Sequence, residues 1–141
     1  MHIIFGLRGQ IKIDHLRQIF DIQPARVANI RSNAEGFGLS HRLHVIEGRA
    51  PEALDGLPLP DAVFIGGGGN PALYATLLPR LSPGTRLVAN AVTLEGEATL
   101  AACHASHGGH LLRVDLAEAA PLGSFRGWSA ARPVVQWSVT L

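Results

Sequence analysis

Asp61-Ala62-Val63-Phe64-Ile65 runs without a polar break into Gly66-Gly67-Gly68-Gly69, and no other stretch constrains the fold as strongly. A continuous apolar strand, as opposed to an alternating one, is what a sheet covered on both faces requires. Such sheets are built from parallel strands with crossover helices. Four glycines remove every side chain from the strand's mouth, so backbone N–H groups can face an anion or a flat ligand can approach closely. Ordering four glycines costs considerable backbone entropy, which favours a ligand-facing role over a flexible turn. No Lys-Ser or Lys-Thr follows, so this is not a phosphate loop of the Walker kind.

The flanking segments extend the same pattern. Pro24 suits a first helical turn, Val27, Ile30, Ala34 and Phe37 recur at helical spacing, and Gly38 is a stop signal. His44-Val45-Ile46 reads as a strand closed by Glu47-Gly48, and Pro51-Glu52-Ala53-Leu54 allows one helical turn. Asn70 as N-cap and Pro71 at the first position predict a helix to Leu81. After the Ser82-Pro83-Gly84-Thr85 turn, Arg86 to Val92 is a strand. Glu95 to His107 is a helix ended by Gly108-Gly109. Leu111 to Leu116 and Val134 to Val139 read as two strands with no helix-length pattern between them. Strand–helix units followed by two such strands predict an α/β sandwich with an antiparallel edge pair. In the first 22 residues only Ile11 to Phe20 can be assigned, as strand or helix.

At 141 residues the chain has room for one domain, residues 1–141, with 1–22 as a divergent N-terminal segment. Twelve basic against eleven acidic side chains give a formal charge of +1, so no general attraction to nucleic acid or an anionic membrane is expected. No apolar run has the length of a membrane span and the start lacks the form of a secretory signal, so a cytoplasmic protein is expected. The single cysteine, Cys103, excludes an internal disulfide framework. His104, His107 and His110 beside it raise a metal site, but no second ligand cluster completes a coordination shell, and no metal is expected.

In open α/β sheets ligands bind outside the carboxyl ends of the strands. Asp21, the segment from Glu47 to Pro51, Gly66 to Gly69, and Asn90 to Thr93 all stand at such ends. An acid in the place of Asp21 can accept both hydrogens of a ribose diol; a solvated Asp near a helix N-terminus is the plainer alternative. Thr93 with Glu95 and Glu97 also reads as a helix start, whereas Asn90 stands inside an apolar strand. Arg126-Gly127-Trp128 offers a cation and an indole, either to clamp an anionic aromatic ligand or to pack over the sheet edge.

Taken together, several segments resemble a known family. They are Pro24-Ala25-Arg26, Glu47 to Leu54, Asp61 to Gly69 and Leu87 to Glu95. The likeness continues through His104-Ala105-Ser106-His107-Gly108-Gly109, Pro121-Leu122-Gly123, Arg126-Gly127-Trp128 and Gln136-Trp137. The sequence is similar here to the decarboxylating precorrin methyltransferases of cobalamin synthesis, in particular to the C-terminal domain of the precorrin-6Y enzymes, over about Pro24 to Leu141. The resemblance implies an α/β, Rossmann-like class I methyltransferase sandwich with an antiparallel C-terminal strand pair, here N-terminally truncated or divergent. It implies S-adenosylmethionine as cofactor, methylation of the C(15) meso carbon of a precorrin, and loss of carboxylate from an acetate side chain. By position, Asp21 would hold the ribose, Arg49 and Ala50 would border the adenine, and Gly66 and Gly67 would lie near the methyl donor. Gly68, Gly69, Asn90 and Thr93 would face the macrocycle, whose carboxylates Arg126 would pair. A homo-oligomer and a C(5)-methylating partner domain are also implied.

Relatives carry a Gly-x-Gly-x-Gly turn after their first, central strand. Gly6-Leu7-Arg8-Gly9 is the candidate here, and it stands too close to Asp21 for the usual helix and strand. Alternatively Gly9-Gln10-Ile11-Lys12 matches a segment that precedes the first strand, with Lys12 in the place of a threonine. Arg49 stands where an acid is frequent. The competing expectation is therefore a truncated, non-catalytic methyltransferase-like protein with a tetrapyrrole-binding or assembly role.

Overall fold

A computed structural model describes residues 3–6, 17–48, 56 and 58–141. Its main sheet contains β1 (Ile3–Gly6), β2 (Arg17–Asp21), β3 (Leu43–Glu47), β4 (Ala62–Ile65), β5 (Arg86–Ala91), β6 (His110–Val114) and β9 (Val134–Thr140). A separate two-stranded ribbon is formed by β7 (Ala117–Leu122) and β8 (Phe125–Ala130). The helices are α1 (Pro24–Gly36), α2 (Pro71–Leu77) and α3 (Leu94–His107). The main sheet has the order β3-β2-β1-β4-β5-β9-β6.

Strands β2 and β3 are parallel to each other, as are β4 and β5. Because β1 is antiparallel to both β2 and β4, all four parallel strands point the same way. The crossover β2–α1–β3 steps outward in one direction and β4–α2–β5 in the other. Right-handed crossovers then place α1 and α2 on opposite faces. Burial agrees: Leu73, Tyr74 and Leu77 of α2 share a core with Leu100 and Cys103 of α3, while the buried Val27 and Ala34 of α1 lie outside it. Strand β9, antiparallel to both β5 and β6, drives Val135, Trp137 and Val139 into the same core. The Trp137 indole is fully buried and donates from Nε1 to the Gly108 carbonyl at 2.9 Å, so its one polar group is satisfied.

The local signals act as expected at the helix starts. Asn70 Oδ1 accepts from Leu73 N at 2.8 Å, and Thr93 Oγ1 from Gly96 N at 3.1 Å. Several boundaries differ. The α-helix begun at Pro71 gives way to a 3-10 turn over Leu78–Arg80, because Pro79 has no N–H to donate. The first helix ends at Gly36, and Phe37 is 78% exposed, not part of the buried stripe. The region between Leu116 and Val134 is not empty of structure: it is the β7–β8 ribbon. The end of the Ile11 to Phe20 segment is the strand β2, while residues 11–16 and the turn expected at Pro51 to Leu54 lie outside the described residues.

The central strand brings the main topological correction. Gly6 pairs with Arg17 and Ala62, the first residues of β2 and β4. It therefore sits on the edge opposite Asp21 and Gly66, so a turn beginning at Gly6 is not at the sheet's carboxyl edge. Leu7 to Gly9, and the alternative match at Gly9 to Lys12, lie outside the described residues.

Candidate functional site

The order of the strands makes one edge special. The sheet's direction of winding reverses between β2 and β4, and ligands of open α/β sheets occupy the carboxyl edge at such a switch point. Asp21, Glu47-Gly48, Gly66 and Asn90-Ala91 stand on this edge, carried there by β2, β3, β4 and β5. Between Asp21 and Gly66 stands the amino end of β1, with Ile3 paired to both Phe20 and Ile65.

Asp21 is not a solvated residue; it is wholly buried. Its Oδ1 accepts from Gln23 N at 2.8 Å, which turns the chain into α1, and its Oδ2 is 3.7 Å from the Arg26 guanidinium. Arg26 is itself held by a 2.7 Å bond from Nε to Gln23 Oε1. The Asp21 carbonyl accepts from Gly48 N at 3.1 Å, tying together the ends of β2 and β3. The sequence reading places Arg26 only within the Pro24-Ala25-Arg26 segment and gives Gln23 no role, although the spacing of Gln23 from Asp21 marks an Asx-type turn into a helix.

The glycine run divides into distinct tasks. Gly66 is exposed at the strand end. Gly67 and Gly68 have φ of 151° and 71°, backbone conformations closed to most L-residues. Gly69 lies against Tyr74, where a Cβ would stand 2.6 Å from the phenolic oxygen. The run thus leads from the mouth of β4 down onto the buried face of α2. Burial pushes the Tyr74 hydroxyl well above its ordinary pKa, with Cys103 adding to the shift, and burial also raises the Cys103 thiol.

Asn90 is half-buried and faces Gln136 across the β5–β9 ladder, with Gln136 Nε2 donating to Asn90 Oδ1 at 3.0 Å. Thr93 uses its hydroxyl as the cap of α3. Beside it, Arg113 bridges Asp115 at 3.2 Å and Glu97 at 3.4 Å, and Asp115 above all raises the guanidinium's pKa. Arg126 is farther out on β8, exposed, on the same ribbon face as Trp128. Trp128 is 80% exposed, so it does not pack over the sheet edge. Registers Val114↔Val134 and Ala91↔Val135 show that the ribbon springs from the carboxyl edge too. The structure therefore brings Asp21, Gly66 to Gly69, Asn90 and Thr93 to one edge and sets Arg126 on an arm rising from it. Arg49 and Ala50 lie outside the described residues.

Cys103, His104 and His107 belong to α3 and His110 to β6; among the described residues no three His, Cys, Asp or Glu side chains are grouped to hold a metal. Nor is any helix among the described residues long and apolar enough to cross a membrane.

A family model described as a precorrin methyltransferase domain matches residues 10–141. A precorrin-6Y C(5,15)-methyltransferase [decarboxylating] from Sinorhizobium sp is 50% identical over 121 residues, covering 85% of this chain and 29% of the relative. The enzyme of the same name from Mycobacterium tuberculosis is 43% identical over 122 residues, 86% of this chain and 30% of its own length. The crystal structure of the C-terminal domain of precorrin-6Y C5,15-methyltransferase from Rhodobacter capsulatus superposes with a TM-score of 0.83 at 56% identity. That match covers 86% of this chain and 66% of the other. The chain thus spans under a third of the length of these two curated relatives.

Proposed function

The chain belongs to the precorrin methyltransferase family, with the Rossmann-like α/β fold of the class I S-adenosylmethionine-dependent methyltransferases, and on that premise we propose that it methylates the C(15) meso carbon of a precorrin. Decarboxylation of an acetate side chain of the same macrocycle, in cobalamin biosynthesis, belongs to the proposal. The observation that carries it is the carboxyl edge at the switch point, where an acid, a glycine wall and an amide stand on adjacent strand ends.

S-adenosylmethionine is the cofactor proposed, supplying a methyl group already activated on a sulfonium. Its ribosyl end would lie at the end of β2 beside Asp21, whose buried carboxylate is held by Gln23 N and the Arg26 guanidinium. The described residues do not supply a glycine turn for its methionine end, because β1 brings its amino end, not Gly6, to the mouth. What remains for the protein is orientation. An electron-rich macrocycle is its own nucleophile, so holding it in line with the donor accounts for most of the rate. Gly66 and Gly67 would lie near the methyl donor, the bare backbone of Gly68 and Gly69 suits a planar ring, and Asn90, Thr93 and Arg126 suit its carboxylates.

A cytoplasmic location, a homo-oligomer and a separate C(5)-methylating partner domain complete the proposal. Self-association is supported by the β7–β8 ribbon, where Leu122 and Phe125 on one face and Trp128 on the other are 68%, 79% and 80% exposed. A two-stranded ribbon with apolar side chains on both faces is marginal in water without a partner.

Isothermal titration with S-adenosylmethionine tests the cofactor. Binding in the micromolar range, lost in Asp21→Ala and weakened in the near-isosteric Asp21→Asn, is expected; Asn retains an acceptor for Gln23 N. The reversed β1 favours a second reading, a non-catalytic protein that binds tetrapyrrole or serves in assembly. Porphyrin binding without any heat from S-adenosylmethionine would decide for that reading.

A further inference from the structure

Asn90 stands near the end of the otherwise apolar β5 with a second amide opposite it. Alternation along β5 buries Leu87, Ala89 and Ala91, and places Val88 and Asn90 on the other face. Strand β9 repeats the pattern, with Val135, Trp137 and Val139 buried and Gln136 opposite Asn90. An amide inside each of two apolar strands costs desolvation unless the two satisfy each other, and they do so at 3.0 Å. The direction of that bond has a chemical consequence. Gln136 Nε2 donates and Asn90 Oδ1 accepts, so the Asn90 nitrogen is turned away from β9. On its other flank the register Ile65↔Ala89 brings Gly66 level with Asn90, and Gly66 has no side chain to fill the space.

Resting on the tetrapyrrole reading above, we infer that Gln136 is a positioning residue: it fixes the Asn90 amide so that Nδ2 presents its hydrogens over Gly66 to a carboxylate of the macrocycle. Gln136 does not touch the substrate. Its hydrogen bond sets whether Asn90 offers a donor or an acceptor, and a carboxylate selects the donor.

The probe is uroporphyrin, a polycarboxylated porphyrin, titrated by fluorescence against the full chain. Gln136→Glu keeps the side chain's length but can only accept from Asn90 when ionised, which turns the Asn90 oxygen toward Gly66. Affinity is expected to fall by about tenfold, the scale of one hydrogen bond to a charged group. Gln136→Met, which frees the Asn90 amide to rotate, should lose less. In an Asn90→Ala background the Gln136→Glu change should have no further effect, whereas plain repulsion by the new charge would persist there. Persistence of the loss in that background overturns the inference while leaving the tetrapyrrole reading in place. Binding indifferent to Asn90→Ala overturns it as well, and an unsubstituted chain that binds no porphyrin removes the tetrapyrrole reading with it. Melting curves of each variant separate these outcomes from failure to fold.

Discussion

Gly109 shows how much one residue can carry when two elements meet. Its φ is +86°, and a Cβ there would run into the Ser138 carbonyl and stand 2.9 Å from Val139 Cβ. A side chain at this position therefore meets backbone strain and the wall of β9 together. Gly109→Ala is expected to destabilise the fold by about 3 kcal/mol in urea denaturation, from a disfavoured conformation plus overpacking. Gly36→Ala is the contrast. Gly36 ends α1 with nothing within 4 Å of a built Cβ and no positive φ, so that change should be neutral or stabilise slightly. From sequence, Gly108-Gly109 is legible as a helix stop, since that signal is local. Its second task, admitting β9, is set by residues about thirty positions later and has no local signature. The same holds for Asn90: its anomaly within an apolar strand was readable, but the partner that explains it, Gln136, belongs to another strand.

Elements were legible where their signals lie inside them. Asn70 and Thr93 announce α2 and α3 by their caps, and the unbroken apolar run of β4 announces a covered sheet. Strand direction is different. β1 is four residues long, and nothing in Ile3-Ile4-Phe5-Gly6 distinguishes a strand entering the sheet from one leaving it. Only its pairing with β2 and β4 gives the direction, and with it the position of Gly6. The β7–β8 ribbon was missed for another reason. Ala117, Ala119, Ala120 and Ala130 give no clean alternation, and both faces are open to solvent, so there is no buried face to impose a period. That openness makes a prediction. None of the ribbon's side chains belongs to the core, and its base is already closed by Ala131 N donating to the Leu116 carbonyl at 2.8 Å. Replacing residues 117–130 with a short Gly/Ser linker should leave the melting midpoint within about 3 °C, because little buried area is lost. The same variant should run as a monomer in light scattering. A large fall in melting temperature with the oligomer intact would assign the ribbon to the fold and take it away from assembly.

For the molecule as a whole, the core is where α2, α3 and β9 meet over the sheet. Tyr74 projects from α2 beneath the glycine run, meets Trp137 edge-on at 6.3 Å between ring centroids, and shares the core with Cys103 of α3. Burial raises the pKa of both the phenol and the thiol, so the fold holds them in their neutral forms. A folded pKa above the unfolded one contributes stability that is complete below the unfolded value and is lost as pH rises through the folded value. The ordinary values are 9.0 for the thiol and 10.0 for the phenol, so the loss belongs to the alkaline side. The melting midpoint should therefore show no pH dependence from this pair between neutrality and about pH 9, then fall as the unfolded chain gives up protons that the fold retains. Tyr74 is the chain's single tyrosine, so tyrosinate absorbance reports on this position alone. On raising the pH at room temperature, that absorbance should appear together with loss of the far-ultraviolet helix signal. Tyr74→Phe should remove the absorbance change and reduce the alkaline fall to the part due to Cys103. Tyrosinate appearing well before unfolding would place the phenol in contact with water, and the tight seat of Gly69 against it would then have to open at a cost lower than the close packing implies.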